Sequence, residues 1–194
     1  MTSVSIRGAS VPAAASGPPA GAAFDIVLIF HVGCLLIGLA SLLVTGIQAW
    51  RARGGSDAPG APSVARYFRP GINWPGRVLY LLLVFGFVLV GMSGGVYGFG
   101  DPFVQVGLVL WIVAVSTAEM VVWPGERSLQ AIISGHVVRD AASRGAGEPA
   151  ADQESPQRWA PNGEARDVAT RVALFAWAVC AVLVAATVVM VQKP

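Results

Sequence analysis

Four long apolar stretches dominate the chain: Phe24 to Trp50, Val78 to Tyr97, Phe103 to Trp123 and Val172 to Val191. About 20 apolar residues match the hydrocarbon thickness of a bilayer, so each stretch is long enough to cross as a helix. The first has residues to spare, which permits tilt. Gly98-Phe99-Gly100-Asp101-Pro102 joins the second stretch to the third, a link so short that it forces a tight antiparallel hairpin, with Pro102 suited to a helix start. The expected fold class is all-α, a polytopic membrane protein with four transmembrane helices in an antiparallel bundle.

Charge is scarce, at 12% of residues against about 25% in an ordinary soluble domain. The net charge of +2, without a basic face interleaved with aromatics, is too small to argue for nucleic acid, and no nucleic-acid partner is expected. Of the thirteen basic residues only Lys193 is a lysine, and with 23 glycines that bias suits a GC-rich bacterial genome. The first loop carries Arg51, Arg53, Arg66, Arg69 and Arg77 against Asp57, while the second has Asp101 alone. By the positive-inside rule the first and third loops are cytoplasmic, so both termini lie outside a bacterial cytoplasmic membrane.

The domain organisation follows. Residues 1–22, rich in Ala, Pro, Gly and Ser, form a disordered extracytoplasmic tail without an apolar signal core. Residues 23–140 hold three spans and an amphipathic surface helix, in which Leu129, Ile132, Ile133 and Val137 recur at helical spacing among Glu126, Arg127, Gln130, Arg139 and Asp140. Residues 141–167 form a disordered cytoplasmic loop, and 168–194 the fourth span with a short outer tail.

Two ionisable side chains sit well inside the apolar stretches, His31 and Glu119, and such groups are costly in a membrane and often functional. Glu119 lies one turn inside the cytoplasmic face, where Arg77, on the antiparallel neighbour, is its natural ion-pair partner. Asn73-Trp74-Pro75-Gly76-Arg77 enters the second span and Trp123-Pro124-Gly125-Glu126-Arg127 leaves the third. Trp74, Arg77, Trp123 and Arg127 thereby read as matched interfacial anchors, or as a docking surface for a partner. His31 belongs to the outer half, separated from Glu119 by roughly 18 Å along the membrane normal.

Cys34 follows His31 at i+3 on the same helix face, and Met92 lies at a similar depth on the second span, with Met190 further out. Imidazole, thiolate and thioether form a soft ligand set suited to copper(I), so a His31, Cys34, Met92 metal site is one reading. The plainer one has His31 hydrogen-bonding across helices while Cys34 and Met92 pack; the second cysteine, Cys180, is likewise a small hydrophobe in an apolar stretch. Gly91 with Gly95 and Gly94 with Gly98 give two small-xxx-small spacings, a helix-packing seam within the chain or with a partner. A small ligand cavity beside His31 is a further alternative. No phosphate-binding loop, zinc-protease motif, CxxC or nucleophile elbow is present.

Phe30-His31-Val32-Gly33, the arginine-bearing first loop, the glycine-rich second span and the exit Glu119-Met120-Val121-Val122-Trp123-Pro124-Gly125-Glu126-Arg127 together resemble a family of integral membrane proteins of high-GC Gram-positive bacteria. That family is itself distantly similar to CopD-type copper-resistance proteins and HemJ-type protoporphyrinogen oxidases. The resemblance covers roughly residues 24 to 138. It implies copper or haem at His31, the one carry-over. Ile37-Gly38 stands where CopD-like chains carry Trp-Gly, and the HemJ pattern needs a membrane lysine, whereas the only lysine is Lys193.

The expected function is a non-catalytic accessory or interaction subunit, embedded in lipid and joined to a homo-oligomer or a membrane-complex partner, with no cofactor required. A copper- or haem-binding protein centred on His31 is the alternative, and an oligomeric transporter a third.

Overall fold

The computed structural model describes residues 21–55, 61–145 and 163–192, with 136–145 as backbone alone. Most of the expected tail, Asp57, Lys193 and the centre of the expected 141–167 loop lie outside the described residues, as do the side chains of His136, Val137, Arg139 and Asp140. Within them every regular element is helical: α1 (Ala22–Ala52), α2 (Ala61–Tyr67), α3 (Trp74–Arg77), α4 (Leu79–Met92), α5 (Pro102–Thr117), a π-helical turn (Ala118–Val122), α6 (Trp123–Gly145) and α7 (Gly163–Val191). Four segments are long and apolar enough to cross a membrane, Ala22–Ala52, Trp74–Met92, Pro102–Gly135 and Gly163–Val191. The protein is an all-α, multi-pass membrane protein.

The helices are apolar nearly all round, so burial inside the protein is decided by size more than by polarity. The inward stripe of α1 is Cys34, Gly38, Leu42, Thr45, Gly46, Ala49 and Ala52, and that of α7 is Ala165, Ala169, Val172, Ala173, Ala176, Val179 and Leu183. Larger side chains such as Ile29, Phe30, Leu36 and Leu174 point outward, where a bilayer accepts them. α7 packs against α1, α5, the π turn and α6, and α1 also packs on α4, α2 and α3. Gly38 opposite Leu79 and His31 opposite Gly86 fix α1 antiparallel to α4, while Gly125 opposite Val172 and Gly107 opposite Met190 fix α7 antiparallel to the third span.

The third span does not end at Trp123. Pro124 has no N–H to give to the carbonyl of the preceding turn, and its ring crowds that turn. The helix widens into the π turn at Ala118–Val122 and runs on as α6, a local adjustment of the kind by which membrane helices tolerate proline. The segment expected as a separate surface helix is therefore a continuation of the span. Leu129 and Ile133 are buried in the protein core with Val64, Phe68, Ala169 and Val172. Pro102–Gly135, 34 residues, is about 51 Å long at 1.5 Å per residue. Some of it must project beyond a hydrocarbon core about 30 Å thick. α7 likewise begins at Gly163, before the expected residue 168, because Ala165 and Ala169 already pack inward.

The second span ends earlier than expected, at Met92. Ser93 Oγ lies 2.7 Å from the Val90 carbonyl oxygen and 2.9 Å from that of Tyr97, and it accepts the Tyr97 N–H at 3.1 Å. Gly94 and Gly95 then adopt positive φ, 61° and 88°, and turn the chain out of the helix. Gly94, Gly95 and Gly98 thus shape a loop instead of a helical seam. A Cβ added at Gly91, Gly94 or Gly95 would meet nothing within 4 Å. The close approaches occur elsewhere: a Cβ on Gly38 would stand 2.5 Å from Leu79 Cδ2, and one on Gly46 2.5 Å from Trp177 Nε1.

Substitution at these glycines should separate the two groups. Gly46→Leu is expected to lower stability by about 1–3 kcal/mol by overpacking the α1–α7 contact. Gly91→Ala, on an open face, should change it by no more than about 0.5 kcal/mol. Unfolding of detergent-solubilised protein in graded denaturant measures both.

Candidate functional site

Three polar or cavity-lining constellations stand out, two at the end of the bundle that carries Arg77 and one toward the opposite end. The first is built around Glu119. The π turn carries it to α3 and α4, where Arg77 Nη1, at the end of α3, donates to Glu119 Oε1 at 3.2 Å and the Tyr80 hydroxyl, on α4, donates to the same oxygen. The Arg77 guanidinium also lies over the Trp123 ring, 3.8 Å from its centroid, and Tyr80 packs on that ring at 5.9 Å. The paired tryptophans are not equivalent. Trp74 is 69% exposed, as an interfacial anchor would be, whereas Trp123 is 4% exposed and belongs to the core. Trp123 is held there by Arg77 and by the continuation of the helix beyond it. Arg127 is exposed.

The second constellation is one that sequence reasoning missed. Glu126, read as part of a polar helix face, is 4% exposed. Its Oε1 accepts a hydrogen bond from Asn73 Nδ2 at 3.1 Å, and the same amide donates to the Tyr67 hydroxyl oxygen at 3.1 Å. Thr45 Oγ1 spends its proton on the Ser41 carbonyl at 2.9 Å. Tyr67 therefore donates in the 2.5 Å bond to Thr45, and the hydrogen bonds run in one direction from Asn73 to α1. Ser41 Oγ reaches Asn73 Oδ1 at a longer 3.4 Å. This chain ties α1, the end of α2, the 68–73 connection and α6 together. Gln130 adds a bond from Nε2 to the Gly71 carbonyl at 3.3 Å. The only sequence signal was negative: a glutamate at heptad spacing from Glu119 looked solvated because its helix was taken to be separate.

Burial pushes the Tyr67 phenol above its usual value near 10, and the neighbouring Glu126 carboxylate adds to that shift, against the opposing pull of the Thr45 and Asn73 hydrogen bonds.

The third constellation is a cavity of about 310 Å³ among α1, α4, α5 and α7, toward the end where the 93–101 loop closes the hairpin. Its wall is almost wholly apolar, with His31, Tyr97, Trp111, Thr187 and Met190 as the side chains that bring heteroatoms. Cys34 and Met92, expected as companions of His31, are not in that wall; Cys34 is buried in the α1 stripe, and Met92 is exposed. Both cysteines are free thiols, and Cys180 Sγ lies 3.8 Å from the Leu39 carbonyl oxygen. Among the described residues no three of His, Cys, Asp and Glu gather as a metal site would need.

His31 is half-buried, its ring against Gly86 and within hydrogen-bonding reach of the Leu82 backbone. The register of α1 on α4 also shortens the expected gap between His31 and Glu119. Gly86 under the imidazole lies six residues from Tyr80 and nine from Arg77, the two partners of Glu119, which is about 9–14 Å along the axis of the second span. The 18 Å expectation centred two spans of unequal length on a common midplane.

Two outcomes are expected from the Glu126 cluster. Asn73→Ala strips a donor from both Tyr67 and Glu126 and should cost about 1–3 kcal/mol in denaturant unfolding. Tyr67 favours its neutral form in the folded protein, so its contribution to stability is complete below pH about 10 and is lost as pH rises through the higher folded value. Alkaline titration of phenolate absorbance, wild type against Tyr67→Phe, reads that shift.

Comparison with protein-family models, with curated proteins and with solved structures finds no match for this chain.

Proposed function

We propose that this membrane protein is a non-catalytic binding subunit of a bacterial cytoplasmic membrane, which takes up one small, mainly apolar molecule in the cavity beside His31. The cavity carries the reading. Small-molecule sites are concave, apolar and marked by a few convergent polar groups, with volumes of about 300–1,000 Å³. This one combines such a lining with a volume near the lower bound and an imidazole in its wall. Its wall draws on four helices that otherwise pack at small residues, so the space lies where that packing opens. The arginines of the first loop, set against Asp101 alone at the hairpin, favour an orientation with both termini outside.

A second reading keeps copper or haem at His31, favoured by Met190 sharing the cavity wall with the imidazole. Metal analysis and absorption spectra of wild type and His31→Ala decide it, and equal, negligible metal in both ends it.

The binding role predicts that 1-bromononane, a heavy-atom quencher, reduces Trp111 fluorescence saturably in protein reconstituted into nanodiscs. The saturable component should vanish in Trp111→Phe, which removes the reporter, and in Ala186→Phe, which fills the cavity. Quenching that rises linearly with probe and is indifferent to Ala186→Phe is bilayer collision alone, and would remove the site.

A further inference from the structure

The end of the bundle that carries Arg77 is basic, and its arginines fall into two groups. Arg77 is paired with Glu119 and lies over Trp123, and the Arg53 guanidinium lies over the Trp50 ring, 4.0 Å from its centroid. Arg51, Arg66, Arg69 and Arg127 are exposed instead, and among the described residues none of them has a carboxylate at ion-pair distance. Glu126, next in sequence to Arg127, is turned inward to Asn73, so its charge is not offered at the surface. α7 adds Arg166 and Arg171 to this end, but Glu164 and Asp167 are interleaved with them and balance their charge.

The hydrogen bonds around Asn73 set part of the exposed group side by side. Glu126 and Gln130, one turn apart on α6, bind Asn73 and the Gly71 carbonyl, so the 68–73 connection runs antiparallel along α6. Arg127 lies between those two contacts, and Arg69 lies just before Gly71. On α2, Val64 and Phe68 point into the core with Leu129 and Ile133, which leaves Arg66 on the outer side. Asn73 is held inward, whereas its neighbours Ile72 and Trp74 are 63% and 69% exposed. Trp74 opens the second span, and tryptophan in that position favours the headgroup level. From Glu126 to Gln130 is about 6 Å along α6, comparable with the headgroup layer of about 5–7 Å on each side of the hydrocarbon. Long arginine side chains reach the phosphates from either level.

We propose that Arg66, Arg69 and Arg127, with Ile72 and Trp74 in the interface beside them, form a binding surface for the headgroup of an anionic phospholipid. A guanidinium donates in pairs to phosphate oxygens, and each arginine near the membrane surface adds to the attraction. A phosphatidylglycerol phosphate keeps its negative charge, whereas that of phosphatidylcholine is cancelled by its own ammonium group. The exposed Ile72 and Trp74 favour a phosphate carried by a lipid over one free in water. The opposite end of the bundle presents Asp25 and Asp101, whose charge repels the same headgroup. This surface is separate from the cavity beside His31 and does not depend on it.

Native mass spectrometry of the detergent-solubilised protein tests this. Dioleoylphosphatidylglycerol and dioleoylphosphatidylcholine are titrated separately, and the dissociation constant is read for the first lipid bound. In wild type the anionic lipid should bind at least about fivefold more tightly, and added salt should narrow the gap. Arg69→Gln/Arg127→Gln should erase the difference, and each single substitution should remove part of it. Arg166→Gln/Arg171→Gln, the same loss of charge on α7, should leave it unchanged. All four side chains are exposed, so neither double variant disturbs the fold. Equal affinity for the two lipids in wild type overturns the assignment. Equal loss in the two double variants overturns it too, because the preference then follows net charge and not this surface.

Discussion

Large side chains seated over small residues of the facing helix are the contact on which this bundle depends. Between helices in lipid there is little hydrophobic gain, because the tails outside are as apolar as leucine inside. What remains is van der Waals packing, which improves steeply as surfaces close. The alanine-rich face of α7 lies against α1, α5 and α6, and Gly46, Gly107 and Gly125 receive Trp177, Met190 and Val172 where a side chain would block them. With α7 seated in that groove, α4 is held on one side by α1 and touches α5 only lightly. The cavity occupies the room this leaves among α1, α4, α5 and α7.

The Arg77 end is held differently. There Arg77, Trp123, Tyr80 and Glu119 form one cluster, and Glu126, Asn73, Tyr67 and Thr45 another, each satisfied by named partners. Directional hydrogen bonds fix the short helices α2 and α3 and the 68–73 connection, which have too few turns to be held by packing alone. The same bundle is thus rigid by polar contacts at one end and shaped by apolar surface at the other. The division places His31 on the apolar side.

Much of the architecture was legible because it rests on length and hydropathy, which the bilayer reads directly. Four apolar stretches gave four spans, and the five-residue hairpin brought Arg77 and Glu119 to the same end, where they lie 3.2 Å apart. Errors arose where one residue type serves two conformations. Pro124-Gly125 signals a helix end in water, yet a π turn absorbs it here, so Glu126, Leu129 and Ile133 were assigned to a surface they do not occupy. Gly91, Gly94, Gly95 and Gly98 have the spacing of a helical seam, but Ser93 ends the helix before the pattern can act. The cavity was named only as an alternative, since a void is a property of four helices together and leaves no mark in any one of them.

The π turn has a consequence for how the third span can vary. In an unbroken α-helix Glu119 and Glu126, seven residues apart, would share a face, because seven residues make nearly two turns. One extra residue accommodated in a π turn rotates everything beyond it by roughly 100°. The turn at Ala118–Val122 therefore acts as a phase shifter: it lets one glutamate address Arg77 and Tyr80 while the other is aimed, independently, at Asn73. A single-residue deletion there would leave hydropathy and span length almost untouched. It would nonetheless turn the whole of α6 away from its partners, so this part of the chain tolerates substitution far better than a change of length.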